Sequence, residues 1–148
     1  MTNIQIMDRA ADAVAPSLAR EYTSPVPHVL QAASVMRHRV QGVLAAWGMP
    51  KTAAQEALLV ISELVTEGIL RGLPPVELRL SLRRDGVRTV MRVEVSDSGA
   101  ALAPAWPVRV PRPDEHGCGS AVVKALAVRY GTDSRSGTVT RWADLPAF

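Results

Sequence analysis

From residue 29 onward the chain places apolar side chains at Val29, Ala33, Met36, Val40, Val43 and Trp47, in alternating steps of four and three. That spacing lines one face of an α-helix, with Gln31, Arg37 and Gln41 elsewhere on its surface. Ser24-Pro25-Val26-Pro27 breaks the chain ahead of this helix, and Gly48 follows its last periodic residue, where a helix C-terminal glycine belongs. Before the breaker, Arg20 to Thr23 reads as a short edge strand. A second helix is expected from about Thr52 to Leu70, with the stripe Ala54, Leu58, Ile61, Val65 and Ile69, and Gly72, Pro74 and Pro75 end it.

The period then changes. Val76-Glu77-Leu78-Arg79-Leu80-Ser81-Leu82 alternates strictly, as a strand with one buried face does. Asp85-Gly86 is a strong hairpin signal, and a second strand follows through Thr89, Met91, Val93 and Val95 to Asp97. Residues 99–115 carry prolines at 104, 107, 111 and 113, which excludes regular structure and suggests a loop acting as a lid. A third helix is expected from near Gly119, with Val123, Leu126, Ala127 and Tyr130 on one face and Gly131 as its cap. Ser136-Gly137 leads into a last strand, Thr138 to Leu145. Helices and antiparallel strands segregated in this order predict an α+β fold, a two-layer α/β sandwich. Its sheet is expected to be mixed but mostly antiparallel, with the helices on one face.

Composition narrows the function. The 148 residues fit one domain, with 47% apolar and 21% charged side chains. Residues 1–19 read as a loose or partly helical tail, with acids early and no apolar core of a signal peptide, and residues 20–148 as the domain. No apolar run approaches the ~20 residues of a membrane helix. The single cysteine, Cys118, rules out an internal disulfide and suits a reducing cytoplasm, where the chain is expected to act. Net charge is +3, and Arg79, Arg83, Arg84, Arg88 and Arg92 cluster, but no interleaved aromatics or nucleic-acid motif accompany them. A nucleic-acid partner is therefore not expected.

Three segments carry candidate chemistry: Glu63-Leu64-Val65-Thr66-Glu67 on the second helix, Val95-Ser96-Asp97-Ser98-Gly99 at the strand end, and Glu115-His116-Gly117-Cys118-Gly119-Ser120 before the third helix. Their order and spacing resemble the GHKL superfamily (Bergerat fold) of gyrase, heat-shock chaperone, histidine-kinase and mismatch-repair ATP-binding domains. Val43-Leu44-Ala45-Ala46-Trp47-Gly48 and Thr140-Arg141-Trp142 are similar to the stand-alone bacterial anti-sigma-factor serine/threonine kinase-like domains within it. The resemblance covers roughly residues 20–145.

It implies a histidine kinase-like ATP-binding domain over residues 20–148. Asp97 would accept from the adenine amino group, Gly99 would let the backbone pass close to the base, and Thr140 would support the pocket from the sheet. Gly117 and Gly119, with His116 and Ser120 beside them, would form the phosphate-side turn at a helix N-terminus. Glu63 would be the catalytic acid that polarises a water or acceptor hydroxyl. The cofactors implied are ATP and Mg²⁺, and the partner a sigma factor or an anti-sigma-factor antagonist. A homodimer stays open.

The sequence also departs from the family pattern. Glu67 stands where the family has a magnesium-holding asparagine, Gly68 where it usually has alanine, Arg71 replaces a histidine, Cys118 an arginine and Ser120 a leucine. Glu67 has two readings, a carboxylate metal ligand or one partner of a Glu67–Arg71 pair along a solvated helix face. Asp97 has a lesser alternative as a turn residue before Ser98-Gly99, and His116 reads as well as a surface loop histidine. Two functions follow, a kinase-like ATP-binding regulator or an impaired pseudokinase that serves as a protein-interaction module.

Overall fold

The computed structural model describes residues 20–99 and 121–148. The strands are β1 (Glu21–Val26), β2 (Val76–Asp85), β3 (Arg88–Asp97), β4 (Arg129–Arg135) and β5 (Thr138–Pro146), and the helices are α1 (Ala32–Ala46), α2 (Lys51–Arg71) and α3 (Ala121–Leu126). The sheet runs in the order β1-β2-β3-β5-β4, and every neighbouring pair is antiparallel. The α+β class holds, while the expected mixed sheet is wholly antiparallel among the described residues. Among those residues, no helix is long and apolar enough to cross a membrane.

Strand alternation decides which face meets the helices. Val76, Leu78, Leu80 and Leu82 of β2, Met91, Val93 and Val95 of β3, and Ala143 and Leu145 of β5 are buried in one core with Met36, Val40 and Leu44 of α1 and Ile61, Leu64 and Val65 of α2. The intervening positions, such as Glu77, Arg79, Arg92 and Glu94, point to the other face. α2 buries more than its expected stripe, adding Ala57, Val60, Leu64 and Gly68. It is covered by α1 on one side and the sheet on the other, so two faces leave water.

Four boundaries differ from the sequence reading, each for a local reason. α1 begins at Ala32, which leaves Val29 and Leu30 exposed ahead of it. β1 runs through Pro25 to Val26; β1 lies at the sheet edge, and an edge strand tolerates a residue without an N–H. The hairpin signalled by Asp85-Gly86 turns on Gly86-Val87, because Asp85 already pairs with Arg88 and Gly86 has φ +73°. The third helix stops at Leu126. Tyr130 and Gly131 lie in β4, and the Val128 N–H donates to the Asp144 carbonyl at 2.8 Å as the pairing with β5 begins. Gly131 is there because the Trp142 indole lies across it, where a Cβ would come within 3.0 Å of the ring. Ser136 and Gly137 both adopt positive φ and close the β4–β5 hairpin.

Candidate functional site

α2 packs closely on the end of β3. A Cβ on Gly68 would stand 2.9 Å from Cγ1 of Val95, so glycine at this helix position has a packing reason that outweighs its low helix propensity. One turn on, a Cβ on Gly72 would overlap the carboxylate of Asp97. The chain leaving α2 is then tied to the chain leaving β3. The Ser98 N–H donates to the Leu73 carbonyl at 2.8 Å, and the Ser98 hydroxyl donates to the Pro74 carbonyl at 2.8 Å.

Asp97 sits in the inward phase of β3, following Val93 and Val95, and its side chain is fully buried. One carboxylate oxygen accepts from the Gly99 N–H at 2.7 Å, and the other accepts from Nη1 of Arg141 at 2.6 Å. These bonds supply what a carboxylate needs away from water, an opposite charge and donors. The Gly99–Asp97 bond has the form of an Asx turn, so the turn reading of Asp97 describes part of its role. Gly99 has φ +93°, and a Cβ there would overlap the Gly137 carbonyl. Its close neighbour in this structure is therefore the β4–β5 turn.

Glu63 and Glu67 lie on α2, both half-buried. Glu67 forms the i,i+4 pair with Arg71, Oε2 to Nε at 2.5 Å, with the Glu67 side chain 13% exposed. Its carboxylate is thus already matched by a cation that a metal would have to displace. Among the described residues no group of three or more His, Cys, Asp or Glu side chains is placed to hold a metal ion. His116, Gly117, Gly119 and Ser120, together with Cys118 and the expected lid, lie outside the described residues.

Thr140 is not brought to Asp97. It pairs with Ser96, and the two hydroxyls lie 2.8 Å apart on the face away from the helices. Side chains switch face at every residue of a strand, so Asp97, whose register partner is Val139, shares its face with Arg141 and not with Thr140, and it is Arg141 that reaches its carboxylate. Sequence reasoning passed over Arg141 and treated Gly72 only as a helix stop. The signal for Arg141 was present: it falls in phase with the buried Ala143 and Leu145. An arginine in an inward phase needs a buried acid, and Asp97 is the acid in the same phase of the facing strand.

The far face of the sheet carries its own charged group. Arg92 grips Asp144 with Nε and Nη2 at 2.7 and 2.9 Å, and Arg129 adds a contact at 3.1 Å. Arg92 also stacks over the Trp142 ring, 4.2 Å from its centroid. Burial alone would push the Asp144 carboxyl up, but the Arg92 hydrogen bonds and the charges of Arg92, Arg83 and Arg129 outweigh it and hold the group below the usual carboxylate range. The hydrogen bond to Asp144 raises Arg92 further, against the opposing effect of burial. A shallow hollow of about 410 Å³, lined by Arg92, Glu94, Asp133, Arg135, Thr140 and Trp142 among others, opens on this face, across the sheet from the face into which Asp97 points.

Among solved structures the chain is similar to the crystal structure of the RsbU and RsbW domains of Rv1364c from Mycobacterium tuberculosis, with a TM-score of 0.63 and 18% identity over 87% of this chain and 33% of that one. At that identity the likeness is one of fold, and this chain spans about a third of the length of that neighbour. No protein-family model and no curated protein matches the sequence.

Proposed function

We propose that this chain is an ATP-binding regulatory domain of the anti-sigma-factor serine/threonine kinase type, acting on a sigma factor or its antagonist. The observation that carries the reading is the placement of Asp97. It is a buried acceptor at the end of a central strand, seated against Gly72 at the close of the long helix and held by the N–H of Gly99. A likeness of fold to a chain containing an RsbW domain supports it. In this reading Asp97 recognises the adenine amino group, and Gly117 and Gly119 offer backbone N–H groups to the phosphates. Glu63 is the acid beside the reacting end. Bound Mg-ATP would supply a transferable phosphoryl group. Magnesium fits less well than the base does, because Glu67 is engaged by Arg71.

That engagement favours a second reading, a pseudokinase in which the same scaffold is a protein-interaction module with weak nucleotide binding or none. Calorimetric titration with ATP and ADP, with and without Mg²⁺, separates the two. Binding strengthened by Mg²⁺ supports the kinase-like regulator, and weak binding indifferent to Mg²⁺ supports the module. No heat with either nucleotide supports the module as well, in its form without nucleotide binding.

A further inference from the structure

The inward positions of β5 run Arg141, Ala143 and Leu145, and those of β3 run Val93, Val95 and Asp97. The Arg141 side chain is 10% exposed and that of Asp97 is fully buried, and the two meet at 2.6 Å. We propose that Arg141 is a positioning residue that sets the nucleotide affinity of this chain by holding the Asp97 carboxylate; the inference rests on the nucleotide-site reading above.

A carboxylate that is to accept from the amino group of a base must turn a free lone pair toward it. Here one oxygen is directed to the Gly99 N–H and the other to the Arg141 guanidinium. A guanidinium–carboxylate bond is charge-assisted and stronger than a bond from a neutral amine, and burial strengthens it further. Each oxygen keeps a second lone pair, but the carboxylate has no exposed surface and Arg141 lies against it, so an entering base must compete with an internal cation that is already in place. The affinity measured is the intrinsic affinity multiplied by the fraction of molecules in which Arg141 has moved off Asp97. The Gly99 contact works the other way. It is a neutral bond that fixes the orientation of the carboxylate without neutralising it. Room is restricted from the helix side as well, because the carboxylate fills the space a Cβ on Gly72 would take and cannot swing that way.

The test is calorimetric titration of ATP and GTP into the wild-type chain and into Arg141→Gln, Arg141→Lys and the double variant Arg141→Gln/Asp97→Asn, with folding of each followed by circular dichroism. Arg141→Gln is expected to bind ATP about tenfold more tightly than wild type, as when a competitor that blocks nine molecules in ten is removed. The gain should appear for ATP over GTP and vanish in the double variant. A residue with only a structural role would not produce this, since its loss lowers stability and affinity together. Arg141→Lys keeps a cation against the buried carboxylate and protects the fold, with a smaller gain in the same direction; where Arg141→Gln does not fold, it decides by the same criterion. Wild-type binding of ATP with equal or weaker binding by the folded Arg141 variants overturns the role of Arg141 and leaves the nucleotide site standing. No binding by any folded variant at millimolar nucleotide overturns both.

Discussion

Gly72 at the end of α2 and Asp97 at the end of β3 share one space: the carboxylate of the second lies where a side chain on the first would begin. Gly72 has φ −100° and ψ 179°, an extended conformation open to any residue, so the constraint on it is room and not backbone freedom. Gly72→Ala forces Asp97 off its bonds to Gly99 and Arg141. The expected cost is about 1–3 kcal/mol, the range for inserting a methyl group into a packed interior. It should appear as a lower urea midpoint with an unchanged slope. Stability equal to wild type would show that Asp97 is not held against Gly72.

Asp144 makes a prediction about pH on the other face of the sheet. Its folded pKa lies below the unfolded value, so its stabilising contribution is complete above the unfolded pKa, about 4. That contribution is lost as the pH falls through the folded value, where the Arg92 and Arg129 contacts lose their anion. Asp144→Asn should lower stability near neutrality by about 2 kcal/mol, a buried charge-assisted pair broken with one partner partly exposed. The gap between wild type and variant should close as urea unfolding is followed downward from about pH 5. A gap that stays constant across that range would mean that the carboxylate charge does not hold the face together.

Glu67 tests the proposed use of magnesium. It lies one turn from Glu63, and two unit charges ~6 Å apart at an effective dielectric of ~20 repel by roughly 3 kcal/mol. The Arg71 partner and solvent reduce this to about 1 kcal/mol. Glu67→Asn removes the extra charge and offers a neutral oxygen, and should tighten Mg-ATP several-fold in calorimetry. It should cost only about 0.5 kcal/mol of stability from the lost pair with Arg71. Unchanged or weaker binding would make Glu67 a metal ligand in its own right or place it outside the site.

The elements that could be read from sequence are those with one wet face and one dry one. Leu78, Leu80 and Leu82 alternate with Arg79, Ser81 and Arg83, and Met36, Val40 and Leu44 recur at helical spacing, so β2 and α1 announce their period and their buried side. β4 does not. It is an edge strand with five of its seven residues polar or charged, none buried, so no alternation marks it, and its first residues continue the helical spacing of Val123 and Leu126. What makes it a strand is pairing with β5, a contact between segments that the local pattern does not contain. In the candidate site, Asp97 could be placed at the end of its strand because the inward phase of Val93 and Val95 leads to it. The face of a β5 residue depends on strand parity, which the local pattern does not fix, and one residue of phase separates Thr140 from Arg141. Gly72 shows its role only once α2 and β3 are side by side.

The central claim is that Asp97 is the base-recognising group of a nucleotide site, and ATP and GTP titration of wild type beside Asp97→Asn tests it most directly. Wild type should bind ATP in preference to GTP. Asp97→Asn, folded by circular dichroism, should lose that preference, because the amide does not offer the same charged acceptor to the adenine amino group. Equal preference in the two proteins, or no binding of either nucleotide by wild type and by the Arg141 variants, would contradict the account.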